Sequence, residues 1–264
     1  MKLNPYFERL FIRVADLLGF AVFRQHRTDV SSAKAKRNTE SSSLTSTEPL
    51  LKRIHQVSPY EDFDFQKWPL DLTGWGSETP IFLQLIESLR PKLIIEVGSW
   101  KGGSAITMAT IANRLNLPTE IVCVDTWLGA LEFWTDHSDK ERYQALELKN
   151  GYPTVYYQFL ANVCHKEVQN RIIPFPQTSI IAARWFQIAG IKAELIYIDA
   201  SHDEDDVFLD ILQYWDSLCD GGIMLGDDYQ WRGVYKAAHR AAAALGGTIK
   251  PDESGRCWML QKSR

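Results

Sequence analysis

Apolar residues recur along this chain with two periods, and their alternation predicts the fold. Short apolar runs, none longer than seven residues, read as buried strands: one ending at Glu96, then Glu120 to Asp125, Arg171 to Phe175, Ala193 to Asp199 and Gly222 to Gly226. Between them lie longer stretches with a helical period, expected at Ile81 to Leu89, Ser104 to Leu115, Ile180 to Ala189, Asp205 to Leu218 and Val234 to Leu245. Strand and helix in alternation mean an α/β chain with a doubly wound, mostly parallel sheet and helices on both faces.

The pattern breaks in three places. At the N-terminus, Phe7, Leu10, Phe11, Val14, Leu17, Leu18 and Ala21 share one helical face, with Arg9, Arg13 and Asp16 between them. Residues 1–27 are therefore expected as an amphipathic helix, too charged for a membrane span and without a small-residue cleavage site. Such a face packs on the core or on a second subunit, which leaves room for a homo-oligomer; with Arg24, His26 and Arg27 it could also meet a membrane surface. Residues 28–49 are rich in Ser, Thr, Lys and Glu and cannot bury enough apolar surface to order themselves, so they are expected as a disordered linker. Residues 50–264 form the expected domain, interrupted at 127–170 by an insert rich in Trp, Tyr and Phe that is a candidate lid or acceptor pocket.

Composition narrows the partners. With 264 residues the chain has room for one sizeable α/β domain plus appendages. A formal net charge of −4 offers no basic footprint for nucleic acid, so a small-molecule substrate fits better. Cys123, Cys164, Cys219 and Cys257 are scattered without a Cys-x-x-Cys pair, which suits free thiols in a cytoplasmic protein.

The candidate chemistry lies at the strand ends. Glu96 closes the first strand, Asp125 the second, Asp199 the fourth, and Asp227 with Asp228 the fifth. In an open parallel sheet these ends share one edge, so the five acids converge on one crevice. After Glu96, Gly98 and Gly102 form a tight loop in which backbone can approach a ligand at the N-terminus of the next helix. Glu96 stands where a dinucleotide fingerprint needs its first glycine, and no Gly-Lys-Ser/Thr ending marks a phosphate loop. Asp125 can accept ribose hydroxyls, a role shared by several nucleotide sites. Asp199, Asp227 and Asp228 would repel one another unless a cation neutralised them, and an all-oxygen set favours a hard ion such as Mg²⁺. His202, three residues after Asp199, is a candidate base. The other histidines have no comparable setting and read as surface or packing residues.

Glu-x-Gly-x-x-x-Gly-x-Ser at 96–104, an acid after the second strand, Asp-x-x-His at 199–202 and Gly-Asp-Asp-Tyr at 226–229 together resemble the class I S-adenosylmethionine (SAM) methyltransferases of the metal-dependent O-methyltransferase type. The likeness is to the macrolide-sugar and catechol O-methyltransferases, closer to the former because of the histidine and the all-carboxylate set. It spans about residues 75 to 260 and says little of the N-terminal segment or the insert. The resemblance implies a Rossmann-like seven-stranded sheet whose last strand is antiparallel, closing near Thr248 to Lys250 and Arg256 to Gln261. It implies a SAM site of Glu96, Gly98, Gly102, Ser104, Asp125, Thr178, Ser179 and Asp199, a metal site of Asp199, Asp227 and Asp228, and His202 as the base. Trp75 with Gly76, and Trp127, are candidates to close over SAM or, equally, to be core. The expected reaction is Mg²⁺-dependent methylation of a small-molecule hydroxyl on a sugar or natural product. An NAD-linked oxidoreductase and a non-catalytic SAM-binding protein remain the competing readings.

Overall fold

The computed structural model describes residues 48–135 and 140–264. The helix expected over 1–27 and nearly all of the linker expected over 28–49 lie outside the described residues.

Seven strands form one sheet in the order β3-β2-β1-β4-β5-β7-β6. They are β1 (Leu93–Val97), β2 (Glu120–Asp125), β3 (Ile172–Pro176), β4 (Ala193–Ile198), β5 (Leu218–Gly226), β6 (Lys250–Pro251) and β7 (Trp258–Gln261). The first five pair in parallel, and β7 runs antiparallel to both of its neighbours. The sheet is therefore the doubly wound, Rossmann-like one expected, with one reversed strand.

Strand residues alternate between two buried layers, as the pleat requires. Ile94, Ile121, Cys123, Leu195 and Tyr197 join one core with Phe82 and Ile86 of α2 (Pro80–Leu89), Met108 and Ala112 of α3 (Gly103–Arg114), and Phe159 and Val163 of α6 (Val155–His165). On the other layer α7 (Ser179–Ile188), α8 (Glu204–Tyr214) and α9 (Arg232–Leu245) pack side by side. A short α1 (Leu50–Ile54) precedes them all, and α4 (Leu131–Thr135) and α5 (Lys140–Gln144) lie in the insert. No described helix is long and apolar enough to cross a membrane.

Two expectations change. The helix expected to reach Leu218 stops at Tyr214, and β5 begins at Leu218, because a register shift between Ala193 and Leu195 lets the polar Asp220-Gly221-Gly222 stretch bulge within the strand. The insert divides between the cavity and the core. Its second half, α6, buries Val155, Phe159, Leu160 and Val163 in the core, as does Trp127, which is 2% exposed and packs on Tyr156 and Phe159.

The turn from β1 into α3 is built from buried polar contacts. Gly98, Trp100 and Gly102 all have positive φ, at 87°, 47° and 85°. That alternation curls the loop so that the Ser99 and Trp100 amides both donate to Asp125 Oδ2, at 2.9 and 2.8 Å, while the Trp127 amide donates to Oδ1 at 2.7 Å. Beneath the loop, fully buried Glu96 accepts from Ser99 Oγ and Ser104 Oγ, each at 2.5 Å. Burial pushes its carboxyl up to about 7 despite those two hydrogen bonds. Lys101 pairs with Asp71 at 2.5 Å and ties the preceding segment to the same loop.

Gly98 answers to the neighbouring strand. A Cβ there would lie 2.0 Å from the backbone oxygen of Asp199, so the glycine admits the chain after β4 and not only a ligand. Gly98→Ala should therefore cost about 2–4 kcal/mol of stability from positive φ and the backbone clash together. Denaturant unfolding measures it, and an unchanged midpoint would remove the close approach from the argument. Glu96 supplies a second test. Folded chain keeps its proton to about pH 7, whereas the unfolded chain releases it near the ordinary 4.5. Between those values the folded state binds more protons, so stability falls as pH rises and levels off above about 7. Glu96→Gln should lack this decline; a wild-type-like pH slope in the variant would assign the effect elsewhere.

Candidate active site

The carboxyl ends of β1, β2, β3 and β4 open into one cavity of about 1270 Å³. Of the residues singled out by sequence, Gly98, Ser104, Asp125, Thr178, Ser179, Asp199, His202 and Asp228 line it. Glu96 lies under the loop and acts on the cavity through Ser99 and Ser104. Gly102 packs against Phe159, where an added Cβ would come within 2.9 Å. Asp125 has only part of its capacity free, since three backbone amides already occupy sites on a carboxylate that offers about four. The first amides of α3 have no intrahelical acceptor, and Gly103 and Ser104 at that end border the cavity.

At the far end Thr178 caps α7, accepting from the Ile181 amide at 3.4 Å. Ser179 donates its hydroxyl to Asp210. Asp210, on α8, also lines the cavity, and burial pushes its carboxyl up to about 7. Nothing local in the sequence singles it out, because an acid inside an amphipathic helix reads as a solvated face.

The opposite wall carries the acid cluster. One oxygen from each of Asp199, Asp227 and Asp228 lies within 4.8 Å of the others. Burial, then repulsion by Asp227 and Asp228, raises the Asp199 carboxyl well above the ordinary range. The Tyr197 hydroxyl lies 3.1 Å from Asp199 Oδ2 and 3.3 Å from Asp227 Oδ2. Arg256, placed by sequence only as part of the closing strand, makes a bidentate pair with Asp227: Nε to Oδ1 and Nη2 to Oδ2, both 2.8 Å.

His202 sits between two carboxylates, with Nε2 2.8 Å from Asp228 Oδ2 and Nδ1 2.8 Å from Glu132 Oε1. Its ring stacks on Trp231, centroids 4.3 Å apart at 15°. The Asp228 hydrogen bond outweighs burial and, with Glu132, holds the imidazole up at about 9. Burial pushes Glu132 up, but the His202 contact prevails and its carboxyl ends below the ordinary value. Counted ionised, Asp199, Asp227, Asp228 and Glu132 face Arg256 and a protonated His202, leaving the wall two negative charges in excess.

Trp75, Trp100, Phe133 and Trp231, with Leu131, give the cavity a largely aromatic side. Phe133 stands edge-on to Trp100 at 5.0 Å and to Trp75 at 6.2 Å, and Arg142 lies over the Trp75 ring at 5.5 Å. Trp75 thus falls at the site and Trp127 in the core. Glu132 and Trp231 were missed because nothing local in the sequence pairs them with His202.

The model of a methyltransferase-domain family matches residues 95–229, just over half of the chain. No curated protein matches the chain in sequence. Among solved structures, the chain is similar to the O-methyltransferase NovP at 14% identity and TM-score 0.52, covering 70% of this chain and 78% of that one. The SAH-bound methyltransferase PaMTH1 of Podospora anserina aligns at 15% identity and TM-score 0.47, over 70% of this chain and 77% of that one. The NovP likeness agrees with the sheet order described above, and the matched segment runs from β1, through the glycine loop and the Asp199 turn, to the acid pair after β5: the chain belongs to this methyltransferase-domain family.

Proposed function

We propose that this protein moves the methyl group of SAM to a hydroxyl oxygen of a small molecule, with a divalent cation at the aspartate cluster; as the cation takes over Asp228, the His202 imidazole gives up its own proton to solvent and its freed Nε2 receives the hydroxyl proton. The observation that carries the reading is that His202, Asp199 and Asp228 share one cavity with the glycine loop and Asp125.

The residues present suit both groups. For SAM, the cavity exceeds the volume of a typical small-molecule site, which leaves space for an acceptor beside it. The Gly103 and Ser104 amides at the α3 N-terminus would hold the carboxylate, and the remaining capacity of Asp125 would take a ribose hydroxyl. The Thr178-Ser179 turn with Asp210 would border the base. For the cation, the donors are all oxygen, and the wall's excess of two negative charges is what a divalent ion offsets; such a set favours magnesium. Trp258 lines a small space of about 10 Å³ with the three aspartates, and its buried Nε1–H has no partner among the described residues. A water of a hydrated ion would satisfy it.

SAM supplies the methyl group, and magnesium, when bound, supplies Lewis acidity that favours the alkoxide or phenolate form of the acceptor. The chain's own part is orientation and proton handling. Glu132 fixes the Nδ1 side of His202 and Trp231 fixes the ring plane, so that Nε2 faces the Asp228 side, where the acceptor hydroxyl would stand. The aromatic wall, whose Trp75 and Trp231 rings stand open to solvent, suits an acceptor with apolar faces that would cover them, such as a sugar ring or an aromatic natural product. Four free cysteines, without a disulfide among the described residues, accord with action in a reducing cytoplasm.

The direct experiment screens small-molecule extracts with the protein and SAM for the mass gain of one methyl group, with and without Mg²⁺. Turnover should stop on chelation while SAH affinity, read by calorimetry, changes by less than about threefold, because the cofactor contacts lie on the other wall. Turnover that survives complete metal removal rejects the cation. His202→Gln should keep SAH affinity and lower kcat by about 10²- to 10⁴-fold, the usual contribution of a positioned base. A near-normal rate in that variant would leave His202 with a structural role only.

A further inference from the structure

The three aspartates of the cluster are not equivalent. Asp199 and Asp228 line the large cavity, whereas the Asp227 side chain is 2% exposed and is surrounded by donors. Its Oδ1 accepts from Arg256 Nε and from the Asp228 amide, both at 2.8 Å, with Cys257 Sγ at 3.7 Å. Its Oδ2 accepts from Arg256 Nη2 at 2.8 Å, and the Tyr197 hydroxyl lies at 3.3 Å. Three firm donors thus fill three of the about four lone-pair sites of the carboxylate, and the Cys257 thiol and Tyr197 hydroxyl crowd the fourth, which leaves little for an ion.

The arginine is held in place independently of that pair. Its backbone oxygen accepts from the Tyr229 amide at 2.8 Å, which staples the start of β7 to the loop carrying Asp227 and Asp228. Gly76, at φ +69°, makes the space: a Cβ there would lie 2.1 Å from Arg256 Nη2 and 2.6 Å from Asp227 Oδ2. A backbone position that only glycine fills comfortably faces the ion pair.

We propose that Arg256 is a resident cation of the cluster, which takes Asp227 out of the ligand set and leaves Asp199 and Asp228 as the two carboxylates that hold the divalent ion. This rests on the cation reading above. Asp227 then acts as a positioning residue, receiving the Asp228 amide and fixing the turn from which Asp228 reaches the cavity. An ion held by two carboxylates keeps more of its coordination sphere for water and for acceptor oxygens. Arg256 also repels it, so the ion is bound loosely until an acceptor adds its own oxygens.

The test counts free Mn²⁺ by electron paramagnetic resonance as Mn²⁺ alone is titrated into the full chain. Asp199→Asn and Asp228→Asn should each weaken Mn²⁺ binding by about 30-fold or more, as loss of one of only two anionic ligands requires. The paired change Asp227→Asn with Arg256→Gln, which replaces the ion pair by two neutral amides, should stay within about threefold of wild type. Arg256→Gln alone should tighten Mn²⁺ by at least about fivefold, since it removes a neighbouring positive charge and frees Asp227 as a third ligand. A purely structural arginine would not give a tighter site. If the paired change loses Mn²⁺ as completely as Asp199→Asn does, or Arg256→Gln leaves the affinity unchanged, Asp227 is already a ligand and the inference is overturned while the cation reading stands. If the wild-type chain binds no Mn²⁺, the cation reading falls and takes this inference with it. Should the paired variant fail to fold, the single Arg256→Gln titration decides alone.

Discussion

Carboxylates gathered at the edge of a parallel sheet repel one another and lose solvation, and the rest of the site is arranged around that cost. Each acid is answered differently. Glu96 receives two serine hydroxyls and holds its proton to about pH 7. Asp125 accepts three backbone amides, two that the left-handed residues of the loop aim at it and one from Trp127. Asp227 has an arginine, Asp228 a histidine, and Asp210 a serine. Asp199 alone among them has only a tyrosine hydroxyl shared with Asp227. It is the group that most needs an external positive charge, and it lines the cavity where one could arrive.

The same constraint shapes the glycine loop. A loop that only had to approach a ligand would need its glycines; this one also carries fully buried Glu96, half-buried Asp125 and the Lys101–Asp71 pair, so its own contacts define its course. Preformed amides at the α3 N-terminus then face the cavity without a reorganisation cost when an anion binds.

Much of this was legible in the sequence because the signals are local. Of the five acids at strand ends, topology brings Asp125, Asp199 and Asp228 to the cavity while Glu96 and Asp227 stay buried behind it, and the expected strands over Glu120 to Asp125 and around Asp199 fall within a residue of those observed. What was not legible depends on contacts between distant segments. Glu132 reaches His202 across 70 positions and Arg256 reaches Asp227 across 29, and neither spacing follows from any period of helix or strand. The glycine pattern at Gly98 points to a ligand; its tightest neighbour is the backbone after β4, which no inspection of the loop alone reveals. The insert is legible only in part for a related reason. Its aromatic content is shared between a core helix and a cavity wall, and composition cannot assign a ring to one or the other.

The division within the insert bears on how specificity would arise. Trp127 donates its indole N–H to the Trp100 backbone at 2.7 Å and packs into α6, so it anchors the insert to the glycine loop. Phe133 and Glu132, a few residues on, then stand against Trp100 and His202. One short stretch therefore joins the glycine loop, the aromatic wall and His202. A change of acceptor need alter only the cavity-facing side chains of residues 128–134, since Trp127 and α6 hold the frame and the acids across the cavity belong to the sheet. Chemistry tied to sheet ends and selectivity tied to an anchored insert can thus vary independently, which is how one fold serves many acceptors.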